Sequence, residues 1–212
     1  MEKKYLSLTF DDGPNLEGDD TMEKMLDILE KHEVKATFFL IGNKISEKNS
    51  PVIKRAFSMG CDIQNHSWSH FDMTTLSAKK IIEEYEKTDD AIMKITGKRP
   101  KFFRPPYISV NSLMFETIKT PFICAHGCRD WEENISVDER LHLMLEDENV
   151  PLEDGLMFLL HVSEKNDKTL EVVDRAIPFL KNQGFSFATV TELFEMKNIP
   201  KKNNGKLWTV VK

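Results

Sequence analysis

Two clusters of acidic and histidine residues carry the chemistry open to this chain. Asp11-Asp12 ends a segment, Leu6 to Phe10, whose apolar and polar side chains alternate as in a half-buried strand, and Gly13-Pro14 then turns the chain. Two adjacent carboxylates at a strand end can divide labour. One ligates a divalent cation, while its neighbour takes a proton from a water that the cation has acidified, as metal-assisted hydrolysis requires. His66 and His70 follow a second predicted strand. Imidazoles at this spacing meet on one ion if the residues between them make a helical turn. One carboxylate and two imidazoles leave coordination positions open for water and substrate.

Each cluster has a plainer reading. Asp, Gly and Pro all favour turns, so Asp11 to Pro14 can be punctuation alone. A His-x-x-x-His pair also occurs on solvated helix faces, and the zinc-protease version is excluded because Ser67 follows His66 where that motif needs Glu. Three further segments raise both clusters above these readings: Arg104-Pro105-Pro106-Tyr107, Arg129-Asp130-Trp131 and Leu159-Leu160-His161.

In that order, from Thr9-Phe10-Asp11-Asp12-Gly13-Pro14 through His66-Ser67-Trp68-Ser69-His70 to Leu159-Leu160-His161, the chain resembles the polysaccharide deacetylases of carbohydrate esterase family 4. The resemblance runs from about Tyr5 to Glu195 and includes Val34 to Phe39 with Ile41-Gly42, which looks like the family's second strand. It implies that Asp12, His66 and His70 hold one divalent metal ion, zinc first, with cobalt, nickel or manganese acceptable to the same donors. It implies that Asp11 is the general base, that the backbone N–H of Tyr107 helps stabilise the oxyanion, and that His161 is the general acid. Arg104 would orient Asp11 and keep it ionised, Asp130 would hold His161 and raise its basicity, and Trp131 and Leu159 would wall the acetyl pocket. Without the family context, Trp131 and Leu159 read as core packing and Arg104 as a surface salt bridge.

Three departures from the common pattern stand near these motifs. Ile108 replaces a glycine after Arg-Pro-Pro-Tyr, Gly127 replaces an acidic residue upstream of Asp130-Trp131, and Val162 replaces an Asp after His161. With the text from Phe122 to Glu132 they resemble the branch that includes clostridial acetylxylan esterases. That similarity implies O-deacetylation of acetylated xylan or xylo-oligosaccharides. The alternative is N-deacetylation of N-acetylglucosamine units in chito-oligosaccharides or peptidoglycan, and a reading of another class is an inactive glycan-binding protein. A metal phosphohydrolase would need a basic phosphate cradle, and none is evident.

These motifs need elements to position them, and the pattern alternates strands with helices. Strands are predicted at Leu6 to Phe10, Ala36 to Ile41, Cys61 to Gln64, Lys101 to Arg104, Phe122 to Ala125, Leu156 to Leu160 and Phe185 to Val190. Helices are predicted at Thr21 to His32, Pro51 to Met59, Ser77 to Ile95, Val137 to Leu145 and Thr169 to Asn182, with a last one beginning near Thr191. In the long third helix Leu76, Ile81, Ile82, Tyr85 and Ile92 are candidate core contacts. Such alternation argues for an α/β fold with a parallel sheet. Motifs that each follow a strand favour a site at the C-terminal ends of barrel strands. The resemblance implies a distorted (β/α) barrel of about seven strand-helix units.

Composition bounds the rest. A chain of 212 residues with 40% hydrophobic content suits one catalytic domain, 1–212, in which 197–212 is a C-terminal extension outside the resemblance. A net charge of -6 disfavours nucleic acid, so the expected partner is an acetylated oligo- or polysaccharide, with oligomeric state left open. No apolar run has the length of a membrane span, and Met1-Glu2-Lys3-Lys4 leads straight into the first strand. The chain as written is expected in the cytoplasm, or outside the cell if an export signal has been removed. The cysteines, Cys61, Cys124 and Cys128, suit reduced thiols better than a disulfide framework, and a sulfur-nitrogen metal nest at Cys124 to Cys128 is a minor alternative. His32 and His142 read as solvated surface residues.

Overall fold

The computed structural model describes residues 3–212. Its elements run β1 (Lys4–Gly13), α1 (Thr21–Lys31), β2 (Thr37–Leu40), α2 (Ser50–Ser58), β3 (Asp62–Asn65), α3 (Ala78–Thr96), α4 (Ser112–Thr117), β4 (Phe122–Ile123), β5 (His126–Gly127), α5 (Val137–Leu145), β6 (Met157–His161), α6 (Asp167–Asn182), β7 (Phe185–Phe187), α7 (Val190–Met196) and β8 (Leu207–Trp208). All named strand pairs are parallel. β1 is central, paired with β2, β6 and β7, while β3 flanks β2 and β5 flanks β6.

The sheet curls into a distorted barrel. Phe103 bridges Asn65 on one side and Phe122 on the other, β4 pairs with β8, and Val210 bridges back to Leu156 beside β6. This circuit corrects one expectation. The predicted strand at Lys101 to Arg104 is reduced to the single bridging residue Phe103, with Pro105 and Pro106 next in the chain unable to donate to a ladder. The C-terminal segment 197–212 packs as part of the same circuit: β8 and Val210 fill the gap between β4 and β6, and Val211 is fully buried, its N–H donating to Gly155 O at 2.9 Å.

β1 differs in kind from the half-buried strand its alternation suggests. Leu6, Leu8 and Phe10 join Met22, Met25, Leu26 and Leu29 of α1 and the apolar face of α6 in one cluster. Ser7, Thr9 and Asp11 alternate with them and are buried too. The alternation therefore separates an outer apolar face of β1 from an inward polar face, and the polar face leads to the site. A second cluster joins Phe39, Phe102, Ile123, Met157 and Leu159 to Leu193 and Phe194 of α7.

Smaller differences have local causes. Ile82 is exposed on α3, whereas Ile81 and Ile92 are buried. Val190 starts α7 instead of ending a strand, because Thr189 and Glu192 form a capping box. The predicted strand at Phe122 to Ala125 breaks at Ala125 (φ 142) and resumes as β5. His32 is mostly buried beside Asp174, Nε2 to Oδ1 2.7 Å, so it is no free surface residue, while His142 is exposed. No described helix is long and apolar enough to cross a membrane.

Candidate metal and acid-base site

The C-terminal ends of β1, β3 and β6 deliver the side chains. Asp11 and Asp12 lie within the last turns of β1 instead of beyond it, and Asp11 is the register partner of His161 on β6. Asp12 has a positive φ (72°), which turns its carboxylate out of the strand's alternation toward the pocket. His66 follows β3 directly. The residues from His66 to His70 do not form the helical turn expected from their spacing: Ser67 (φ 65°) and His70 (φ 57°) occupy the left-handed region. The two rings still meet, with centroids 4.9 Å apart.

Their nitrogens face one oxygen. Asp12 Oδ1 lies 3.7 Å from His66 Nε2 and 3.5 Å from His70 Nε2. That oxygen is buried and has no hydrogen-bond partner, whereas Oδ2 accepts from Ser163 Oγ at 2.9 Å. A buried carboxylate oxygen is rarely left without a donor. Spacings of this size suit atoms that share an ion at about 2.0–2.2 Å from each. Among the described residues no other group of three such ligands lies close enough together. The His66 tautomer fits as well: Nδ1 is 2.7 Å from Arg104 O, a carbonyl that can only accept, so Nδ1 carries the hydrogen and Nε2 offers a lone pair. Burial works to raise the Asp12 carboxyl, but His66, His161, His70 and the Ser163 hydroxyl outweigh it and hold the group below its ordinary value. Burial and His66 lower His70, which keeps that imidazole neutral and able to ligate.

Asp11 is held differently. Its Oδ1 accepts from Arg104 Nη1 at 2.7 Å, and its Oδ2 stands 3.6 Å from His66 Nε2. Arg104 is wholly buried, so the surface-salt-bridge reading fails. Its other donors reach Ile123 O and Cys124 O, and its guanidinium lies 4.2 Å over the Phe39 ring. A buried ion pair needs such satisfaction of its remaining donors.

On the far side His161 Nδ1 lies 2.7 Å from Asp130 Oδ1, and its backbone N–H donates to Asp130 Oδ2 at 2.7 Å. Burial alone would lower His161, yet its bond to Asp130 and the charges of Asp130, Asp11 and Asp12 raise it to about 9. Trp131 lies edge-on to His161, 5.7 Å between centroids, and half exposed, while Leu159 is buried. A cavity of about 500 Å³ takes in all of these except the buried Arg104 and Asp130, together with Tyr107 and Ile108. Tyr107 (φ 58°) and Ile108 (φ 55°) are both left-handed, and the Tyr107 N–H has no hydrogen-bond partner among the described residues. Strained backbone of this kind gathers at functional sites.

Several supporting residues carry no sequence signal. Asp130 Oδ2 also accepts from Thr169 Oγ1 (2.9 Å), whose oxygen receives Arg140 Nη1 (3.1 Å). Arg140 is buried without a carboxylate within salt-bridge distance among the described residues, so Thr169 relays its charge toward Asp130. Lys44 Nζ donates to Asp12 O at 3.0 Å. Thr169, Arg140, Ser163 and Lys44 look in sequence like ordinary helix or loop residues. The Cys124 to Cys128 segment forms no metal nest: His126 Nε2 bonds Leu143 O, and burial pushes the Cys128 thiol up to about 12.

Comparison with known proteins defines the class. The polysaccharide deacetylase family model matches residues 1–120, and the chain belongs to that family. A bifunctional xylanase/deacetylase from Pseudobutyrivibrio xylanivorans is 41% identical over 212 residues, all of this chain and 34% of that protein. The chain thus spans about a third of the length of that curated relative. Among solved structures, the Xyl-CE4 domain of a multidomain xylanase from the hindgut metagenome of Trinervitermes trinervoides is 40% identical with a TM-score of 0.92, covering 99% of this chain and 98% of that one. A family 4 acetyl xylan esterase from Clostridium thermocellum in complex with a cobalt ion is 33% identical with a TM-score of 0.91, covering 98% and 99%. These neighbours share the (β/α)-barrel fold.

Proposed function

We propose that this chain is a metal-dependent carbohydrate deacetylase that removes O-acetyl groups from xylan or xylo-oligosaccharides. The observation that carries the reading is the unpartnered, buried Asp12 Oδ1 facing His66 and His70, in one cavity with Asp11 and the acid-base pair His161 and Asp130. Asp12, His66 and His70 would hold one divalent ion, zinc by donor type, with cobalt, nickel or manganese able to replace it. Such an ion supplies Lewis acidity, polarising the acetyl carbonyl and easing loss of a proton from water.

The chain's own groups do the rest. Asp11, aimed by Arg104, takes the proton of the attacking water as its oxygen bonds to the acetyl carbon. The free Tyr107 N–H donates to the oxyanion that results. His161, protonated and steered by Asp130, gives its Nε2 proton to the departing sugar oxygen as the carbon-oxygen bond breaks, leaving acetate and a sugar hydroxyl. Leu159, Trp131 and Ile108 give an apolar wall for the acetyl methyl.

The ester preference rests on likeness to proteins named as acetyl xylan esterase and xylanase/deacetylase. Acetate release from acetylated xylo-oligosaccharides and chito-oligosaccharides, with zinc and with a chelator, tests it. Metal-dependent release from the xylo series is expected to dominate. Dominant release from the chito series would make the enzyme an amide hydrolase, and binding without release would leave a glycan-binding protein.

A further inference from the structure

We propose that helix α3 clamps the loop bearing His66 and His70, and that Glu84 and Asp89 are positioning residues that set the affinity of the Asp12, His66 and His70 set for its ion. The inference rests on the ligand set of the proposed function, although neither carboxylate touches that set.

The loop needs an external hold. It is irregular, and the left-handed backbone at Ser67 and His70 is unfavourable for side chains other than glycine. Its polar groups bond to α3 and to one another. Glu84 Oε2 accepts both the backbone N–H and the hydroxyl of Ser69, each at 2.8 Å. Asp89 Oδ1 accepts from Asn65 Nδ2 at 2.8 Å, and the same amide nitrogen donates to Tyr85 O at 2.8 Å. Held in this way, Asn65 Oδ1 accepts the Ser67 N–H (2.8 Å), and Ser67 Oγ accepts the His70 N–H (3.1 Å). A chain of hydrogen bonds thus runs from Asp89 to the backbone of His70.

The opposite side is closed by the β2–α2 connection. Gly42 N–H donates to Ser67 O and Asn43 N–H to Trp68 O, both at 2.9 Å. Gly42 sits so close to Thr88 of α3 and to the Trp68 ring that a Cβ there would collide with both. The loop is pinched between two elements, with Glu84, Tyr85, Thr88 and Asp89 on one face of α3 because residues four apart align along a helix. A loop already ordered loses less freedom when its imidazoles take an ion, and partners behind metal ligands commonly change affinity by 10–100-fold.

The test uses the full chain. Zinc dissociation constants are measured by competition with a chelator for wild type, Glu84→Ala and Glu84→Gln, alongside the thermal midpoint of each metal-free protein. Glu84 is only partly buried, so its variants should fold. Glu84→Ala is expected to weaken zinc about tenfold with little change in metal-free midpoint, and Glu84→Gln, which keeps an acceptor for Ser69, to recover most of it. Asp89→Ala should act in the same direction. Zinc affinity unchanged in a folded Glu84→Ala protein would overturn the clamp, as would a loss that Glu84→Gln fails to recover. If wild type binds no zinc, the ligand assignment falls, and the clamp is judged on amide exchange. The Ser69 N–H should then exchange faster in Glu84→Ala, and equal rates would overturn the clamp on that ground.

Discussion

Asp11 and Asp12 are neighbours in the chain with opposite surroundings. Asp11 is tied to a buried guanidinium, while Asp12 turns a bare oxygen toward two imidazoles. The proposed division of labour rests on what each carboxylate touches. Asp11→Asn should keep the metal and lose on the order of 100-fold or more in kcat, because a proton acceptor is removed and no ligand is. His66→Ala should lose both, as measured by metal content and turnover. Metal loss in Asp11→Asn would exchange the roles of the two acids. His161 gives a pH prediction with a definite sign. In the proposed mechanism its protonated form is the acid, and its value is raised to about 9, so activity should hold through neutrality and fall on the alkaline side. A bound dication repels the imidazolium, placing the limb at or below that value. Asp130→Asn removes the anion that holds the imidazolium, so the limb should move toward the ordinary imidazole value near 6.5. An unmoved limb would take His161 out of the acid role. The same pairing stabilises the fold below about 6.5, and that contribution is lost as pH climbs through about 9.

At the scale of elements, what was legible in the sequence was whatever has a period or an ordered motif. The alternation at Leu6 to Phe10, the helices α1 and α5, and the motif residues from Asp11 to His161 could all be read there. Spacing could not reveal that His66 to His70 are brought together by two left-handed residues and a neighbouring helix, because the loop's conformation is fixed by bonds to distant groups. Arg140 and Thr169 were hidden for the same reason: their role arises only once α5 and α6 pack beside Asp130. The tail's pairing could not be read because β8 is two residues long, too short for any period to show. Gly155 tests the tail's place. It has φ 87°, and a Cβ there would run into the Val211 carbonyl. Gly155→Ala should therefore destabilise the fold by about 2–4 kcal/mol in urea titration, through backbone strain and displacement of the last strand. Deleting residues 207–212 should cost at least as much. A deletion with the wild-type midpoint would show that the segment does not hold the barrel together.

For the whole molecule, the barrel's curvature does what no single element can. β1, β3 and β6 end at one rim, so an acid pair, two histidines and a third histidine spread along the chain from Asp11 to His161 open into one cavity. Helices cover the outer face, and the buried polar side of β1 leads up to the site. The net charge of -6 is in keeping with the largely neutral glycan of the proposed function. The central claim is that Asp12, His66 and His70 share one ion. X-ray absorption on the cobalt-loaded protein tests it most directly, since imidazole gives a distinctive outer-shell scattering pattern. One cobalt per chain with two imidazoles and oxygen donors is expected, reduced to one imidazole or to no bound metal in His66→Ala. A wild-type spectrum without imidazole, or one that His66→Ala leaves unchanged, would contradict the account.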